Sequence, residues 1–118
     1  MAILNSNHQT GSNSPQDAVI RGRVGGKHRV YFNEFNILMD STTYLPLVSG
    51  LLQAYAETRP AISNNYEMAP YLFHIDNPET IIAQYDSPNV AAFSVCMWNE
   101  QLNLQIAARV KRRWPECL

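Results

Sequence analysis

Ser94, Trp98 and Asn99 stand close together where an apolar run, Val90 to Met97, gives way to a helical pattern. They offer a hydroxyl, an indole N–H on an apolar plate and an amide. Groups of this kind hold a ligand by packing and neutral hydrogen bonds rather than by moving protons. The run before them is apolar on both faces, the habit of a strand in a parallel sheet wrapped by helices. Ligands of such sheets sit just beyond the carboxyl ends of the strands, which is where these three residues fall. Two of them have a plain structural alternative: Trp98 as core or interface filler, and Ser94 as a satisfied buried hydroxyl.

Other chemistry-bearing residues form no complete set. His74 and Asp76 have the spacing of a general-base pair, yet a strand-end histidine beside an acid is more commonly a surface contact. No serine lies in Gly-x-Ser-x-Gly, and neither His-x-x-x-His nor Cys-x-x-Cys occurs. A zinc or iron–sulfur site within this chain would therefore lack ligands, and we expect no metal site and no catalytic residue. Gly22, Gly25 and Gly26 do not make a phosphate loop, since no strand precedes them and no Gly-Lys-Ser/Thr follows. Asp40 is the one acid that the sheet argument puts near the ligand edge. The third strand ends in Cys96-Met97-Trp98 without an acid, which argues against phosphoacceptor signalling.

The elements that would position these groups follow a repeating order. A first strand covers Arg29–Phe32, extending toward Phe35, and a loop from Asn36 to Tyr44 leads to a helix beginning near Leu45-Pro46. Proline suits a first helical turn, where its missing N–H costs nothing. Val48, Leu51, Leu52, Tyr55 and Ala56 then make one apolar face at helical spacing, and Arg59-Pro60 ends the helix. A second strand, Tyr66 to Phe73, is interrupted by Pro70, which suggests an edge strand or a late strand start at Tyr71. Asn77-Pro78-Glu79 reads as a helix start; Ile81, Ile82 and Tyr85 follow. After the third strand, Asn99 is placed to cap a last helix carrying Leu102, Ile106, Ala107, Val110 and Trp114 on one stripe. Strand–helix repeated three times is the α/β pattern, and right-handed crossovers lay the strands parallel.

Residues 1–27 differ in composition. Asn, Ser, Gln, Thr and Gly dominate there and offer too little apolar area to offset ordering. We expect a disordered leader over 1–27 and one partial domain over 28–118 of the 118 residues. A formal charge of −1 gives no reason for a nucleic-acid partner, and Lys111-Arg112-Arg113 suits the C-terminal end of a helix dipole. No apolar run approaches the roughly 20 residues of a membrane span, and no signal-peptide pattern opens the sequence. Two cysteines are too few for a disulfide framework. A cytoplasmic, reducing location is the expectation.

Two segments together resemble a known family. Tyr44-Leu45-Pro46-Leu47-Val48-Ser49-Gly50-Leu51-Leu52-Gln53-Ala54-Tyr55-Ala56 and Val90-Ala91-Ala92-Phe93-Ser94-Val95-Cys96-Met97-Trp98-Asn99 are similar to the N-terminal cobalamin-binding domain of cobalamin-dependent radical S-adenosylmethionine enzymes. The resemblance covers about residues 28 to 118. It implies a Rossmann-like three-layer α/β sandwich with a parallel sheet of about three strands, incomplete, holding cobalamin over the carboxyl ends of its strands. By the same resemblance Tyr44, Leu45 and Pro46 face the corrin, Ser94 lies near the nucleotide tail, and Trp98 and Asn99 form the loop beside it. The Asp-x-His-x-x-Gly of methionine-synthase-like domains is absent, so no histidine stands there as a lower cobalt ligand. The family's fourth strand, its Gly-Gly-Pro-type turn and its Cys-x-x-x-Cys-x-x-Cys cluster motif are also absent from these residues.

The expected function is accordingly a cobalamin-binding module related to radical S-adenosylmethionine methyltransferases and maturases, with no iron–sulfur cluster and no competence for radical chemistry alone. The alternative is a cofactor-free Rossmann-like interaction module or helper subunit, whose open sheet edge would pair with another chain. A homo-oligomer, or a partner chain supplying the missing strands, would fit either reading. A flavodoxin-like electron carrier would need a phosphate loop after the first strand, which is lacking.

Overall fold

The computed structural model describes Arg23–Val24 and residues 26–118. The sheet is built around one long strand, β2 (Lys27–Asn36), with β1 (Arg23–Val24) paired antiparallel at its start: Arg23 lies opposite His28 and Val24 opposite Lys27. Gly26, at φ 82°, takes the left-handed conformation that so tight a reversal requires. Pairing therefore begins upstream of residue 28, inside the stretch read as a leader. Residues 1–22, where most of that expectation falls, lie outside the described residues.

All the longer-range pairings are parallel. β5 (Tyr66–Met68) and β6 (Leu72–His74) run along one side of β2, from His28↔Tyr66 to Asn36↔His74. They are two pieces of one strand parted at Pro70, which has no N–H to give to the ladder. β7 (Val90–Phe93) flanks the other side, from Val30↔Val90 to Asn33↔Phe93. The strand read as Val90–Met97 thus stops at Phe93, and the remainder is loop. At the outer edge of β7 the Leu118 N–H donates to Asn89 O (2.9 Å) and Ala91 N–H donates to Leu118 O (2.8 Å).

Side chains alternate across β2, and the two faces carry different layers. Tyr31 and Phe35 point into the main core, where they meet α3 (Pro78–Ile82) and α4 (Glu100–Arg113) through Ile81, Ile82, Ile106 and Val110. The stripe expected on the last helix is this one, with Leu102 and Trp114 packed at its ends. Asn77 caps α3 by accepting from Glu79 N–H at 2.9 Å. Asn33, on the same face of β2, accepts the hydroxyl hydrogen of Tyr85 (2.6 Å) and donates to Ala92 O (3.0 Å), so this buried amide is paired at both ends.

The opposite face carries α1 (Leu47–Glu57), followed by the short α2 (Pro60–Ser63). Here the helix departs from its expected orientation. Of the apolar face read from the sequence, Ala56 alone is buried, together with Ser49. Val48, Leu51, Leu52 and Tyr55 point to solvent. The helix is turned because Glu34, buried on this face of β2, binds its first turn: Ser49 N–H and Ser49 Oγ each donate to Oε2 at 2.8 Å. The result is an α/β domain of three layers with a parallel sheet, an incomplete Rossmann-like fold.

Candidate functional site

The parallel strands end together, and three loops leave that carboxyl edge. The first contains a small hairpin, β3 (Leu38–Met39) with β4 (Thr42–Thr43), where the sequence suggested an irregular loop. Its two-residue turn puts Asp40 at φ 49° and Ser41 at φ 66°. Left-handed backbone at two consecutive non-glycine residues is the geometry of a tight hairpin turn, and it carries Asp40 into solvent.

Hydrogen bonds tie the three loops to one another through β2. Asn36 Nδ2 donates to Tyr44 O (3.2 Å), anchoring the first loop just before α1. Asn36 also stands in register with His74, where the second loop begins. Phe35 O accepts from Asn99 Nδ2 (3.0 Å), anchoring the third.

Asn99 is the centre of that third anchor. Its amide donates to Ser94 O (3.0 Å) as well as to Phe35 O, and its Oδ1 accepts from Cys96 N–H (2.7 Å) and from Asn103 Nδ2 (3.0 Å). Asn103 Nδ2 reaches Ser94 O too, at 3.1 Å. Asn99 occupies the cap position of α4, as expected, but its side chain bonds no helical N–H and instead braces the loop behind it. It is 1% exposed. Asn103 Oδ1 is buried and, among the described residues, has no hydrogen-bond partner.

The sequence-derived residues therefore divide by exposure. Tyr44, Leu45 and Trp98 are open at the edge, with Leu45 75% and Trp98 50% exposed. Ser94 is half-buried, while Pro46 and Asn99 are buried. Sequence reasoning missed Glu34, whose carboxylate fixes the start of α1, and Asn103, whose place four residues after Asn99 was the available signal. Leu38, Met39, Ile75 and Met97 add exposed apolar surface around the same edge.

His74 and Asp76 do not pair. The His74 ring lies 4.2 Å from that of Phe73, and Asp76 Oδ1 accepts from Asn77 N–H at 2.6 Å. Among the described residues no group of three or more His, Cys, Asp or Glu side chains is gathered to hold a metal ion, and no helix is long and apolar enough to cross a membrane. What the edge can do chemically is pack against a broad, largely uncharged ligand and hydrogen-bond its periphery.

No family model matches the chain. Over 90 residues, 76% of the chain, it is 34% identical to 2-(S-pantetheinyl)-carbapenam-3-carboxylate methyltransferase of Streptantibioticus cattleyicolor. Over a stretch of the same length it is 31% identical to the cobalamin-dependent radical SAM methyltransferase TokK of Streptomyces tokunonensis. The chain is related to the cobalamin-dependent radical S-adenosylmethionine methyltransferases. The match spans 13% of the length of each of these two methyltransferases, so the likeness is to one segment of them.

Proposed function

We propose that this chain is a cobalamin-binding module that holds the corrin over the edge where β2, β6 and β7 end. The observation that carries the reading is the joining of three loops at Phe35 and Asn36, which gathers exposed apolar and aromatic side chains on one side of the sheet. A corrin is a broad plate rimmed with amides, and the residues present suit it. Leu45 and Trp98 offer apolar surface, Tyr44 adds a hydroxyl, and the orphaned Asn103 Oδ1 is an acceptor that gains by meeting a donor.

Tyr44 and Leu45 contact the corrin, and Pro46 sets the turn that presents them. Trp98 packs beside it, and Ser94 borders the nucleotide tail. Asn99 contributes by holding the loop. When bound, cobalamin supplies the methyl-carrying chemistry, and the chain's own part is to bind and orient it. Two cysteines cannot provide the three thiolates of the cluster motif, so radical chemistry needs further polypeptide. The free thiols Cys96 and Cys117 suit a reducing compartment such as the cytoplasm.

Titration of the purified chain with hydroxocobalamin, read by visible absorbance after desalting, tests the proposal. Retention of about one corrin per chain with a shifted spectrum is expected, by analogy with the largely pre-formed character of cofactor sites. No retention by a protein whose circular dichroism shows it folded would overturn it and leave the cofactor-free interaction module as the better reading.

A further inference from the structure

The amphipathicity of α1 is inverted. Ser49, Gln53 and Ala56 face the sheet side, while Leu47, Val48, Leu51, Leu52 and Tyr55 are 52–69% exposed. An apolar stripe on a helix is normally the side that is buried, and large contiguous apolar patches on a protein surface mark interaction sites. We propose that this stripe is covered by α1 of a second copy of the chain, packed antiparallel about a two-fold axis at Leu51.

Three features favour a second copy as the occupant. Leu47, Leu51 and Tyr55 are spaced four apart, so a two-fold axis at Leu51 sets Leu47 against the partner's Tyr55 and closes the contact on itself, as an isologous interface must. No Asp, Glu, Lys or Arg occurs between Asp40 and Glu57; the cation on the stripe is Arg59, whose guanidinium lies 4.7 Å from the Tyr55 ring centroid, and the two-fold axis sets the two copies of it at opposite ends of the contact. The ends are complementary as well: α1 has no acid in its first turn, and antiparallel packing lays Glu57 of one copy near the positive N-terminal end of the other helix.

The area is also sufficient. At 52–69% exposure the five side chains offer on the order of 600 Å² per copy, so their complete cover in a two-fold pairing would remove at most about 1,200 Å² from water, the lower end of the range for a stable interface. The stripe lies on the outward face of α1 and excludes Tyr44, Leu45 and Trp98, so the pairing does not depend on the cobalamin proposal.

Sedimentation velocity of the full chain, up to hundreds of micromolar, tests the inference. The expected result is a species of twice the chain mass. Leu51→Glu should return it to monomer with unchanged circular dichroism, while Leu104→Glu, at an exposed site on α4, leaves the dimer intact. If Leu51→Glu fails to fold, Leu47→Glu at the end of the same stripe provides the same readout. A wild-type monomer at every concentration overturns the proposal. So does a dimer that survives substitution in the stripe, or one that Leu104→Glu dissolves.

Discussion

The carboxylate of Glu34 lies 2.8 Å from both the backbone nitrogen and the hydroxyl of Ser49, with the Val48 nitrogen at 3.4 Å, so an acid from the sheet caps the helix that follows it. Pro46, at the cap position itself, makes no side-chain cap. Removing the acid leaves orphaned N–H groups at the start of α1. Glu34→Ala should therefore lower unfolding free energy by about 1–3 kcal/mol in urea titrations. Glu34→Gln keeps one acceptor oxygen and should lose less. A loss from Glu34→Ala no larger than the surface-mutation level of about 0.5 kcal/mol would show that the cap contributes nothing.

Tyr85 joins the core to Asn33 through a 2.6 Å hydrogen bond. Burial pushes its phenol above the ordinary value of about 10. The folded state thus holds the proton more tightly than the unfolded state does. This contribution to stability is complete below pH ~10 and is lost as pH rises from there toward the folded-state value. Melting temperature should fall through that alkaline range, and Tyr85→Phe should flatten the fall. The same variant should cost about 1–3 kcal/mol at neutral pH, because Asn33 Oδ1 loses its donor. An alkaline melting profile identical in wild type and Tyr85→Phe would remove Tyr85 as the cause.

How far the sequence could be read depended on whether local chemistry or a distant partner set the conformation. The break at Pro70, the Asn77 cap and the stripe of Ile106 and Val110 are local, and each stands where its residues suggest. The facing of α1 is not local. Its apolar residues predict burial, but a single acid fifteen residues upstream fixes the polar side inward. The β3–β4 hairpin carries no glycine to announce the left-handed conformations of Asp40 and Ser41. At the candidate edge, the position of Ser94, Trp98 and Asn99 just beyond a strand, the half-buried β7, was legible. The division between exposed Trp98 and bracing Asn99 was not, because both follow the same strand and only the backbone acceptors Phe35 O and Ser94 O distinguish them.

The two thiols should differ in reactivity. Cys117 is 2% exposed, and burial pushes its thiol up, against the opposing charge of Lys111. Cys96 is half-buried in the edge loop. Since thiolate fraction and access govern thiol chemistry, a colorimetric disulfide reagent should modify Cys96 in the folded protein and reach Cys117 only on unfolding. Simultaneous modification of both under native conditions would mean that the C-terminal turn opens readily.

Asn99 and Trp98 are neighbours with opposite expected behaviour. Asn99→Asp keeps an acceptor for Cys96 N–H but replaces the donor shared by Phe35 O and Ser94 O with an oxygen, setting like dipoles together in a buried site. It should cost about 1–3 kcal/mol of stability or more and release the loop, shifting Trp98 emission before any ligand is added. Trp98→Ala removes a half-exposed ring and should leave stability within about 1 kcal/mol. If the corrin packs on the indole, that change should weaken hydroxocobalamin retention roughly tenfold, the loss of about 1.4 kcal/mol of contact. The pair separates a brace from a contact: stability falls with Asn99, and affinity falls with Trp98 at constant stability. Unchanged retention in a folded Trp98→Ala protein would remove the indole from the site, and strong destabilisation would return it to the core.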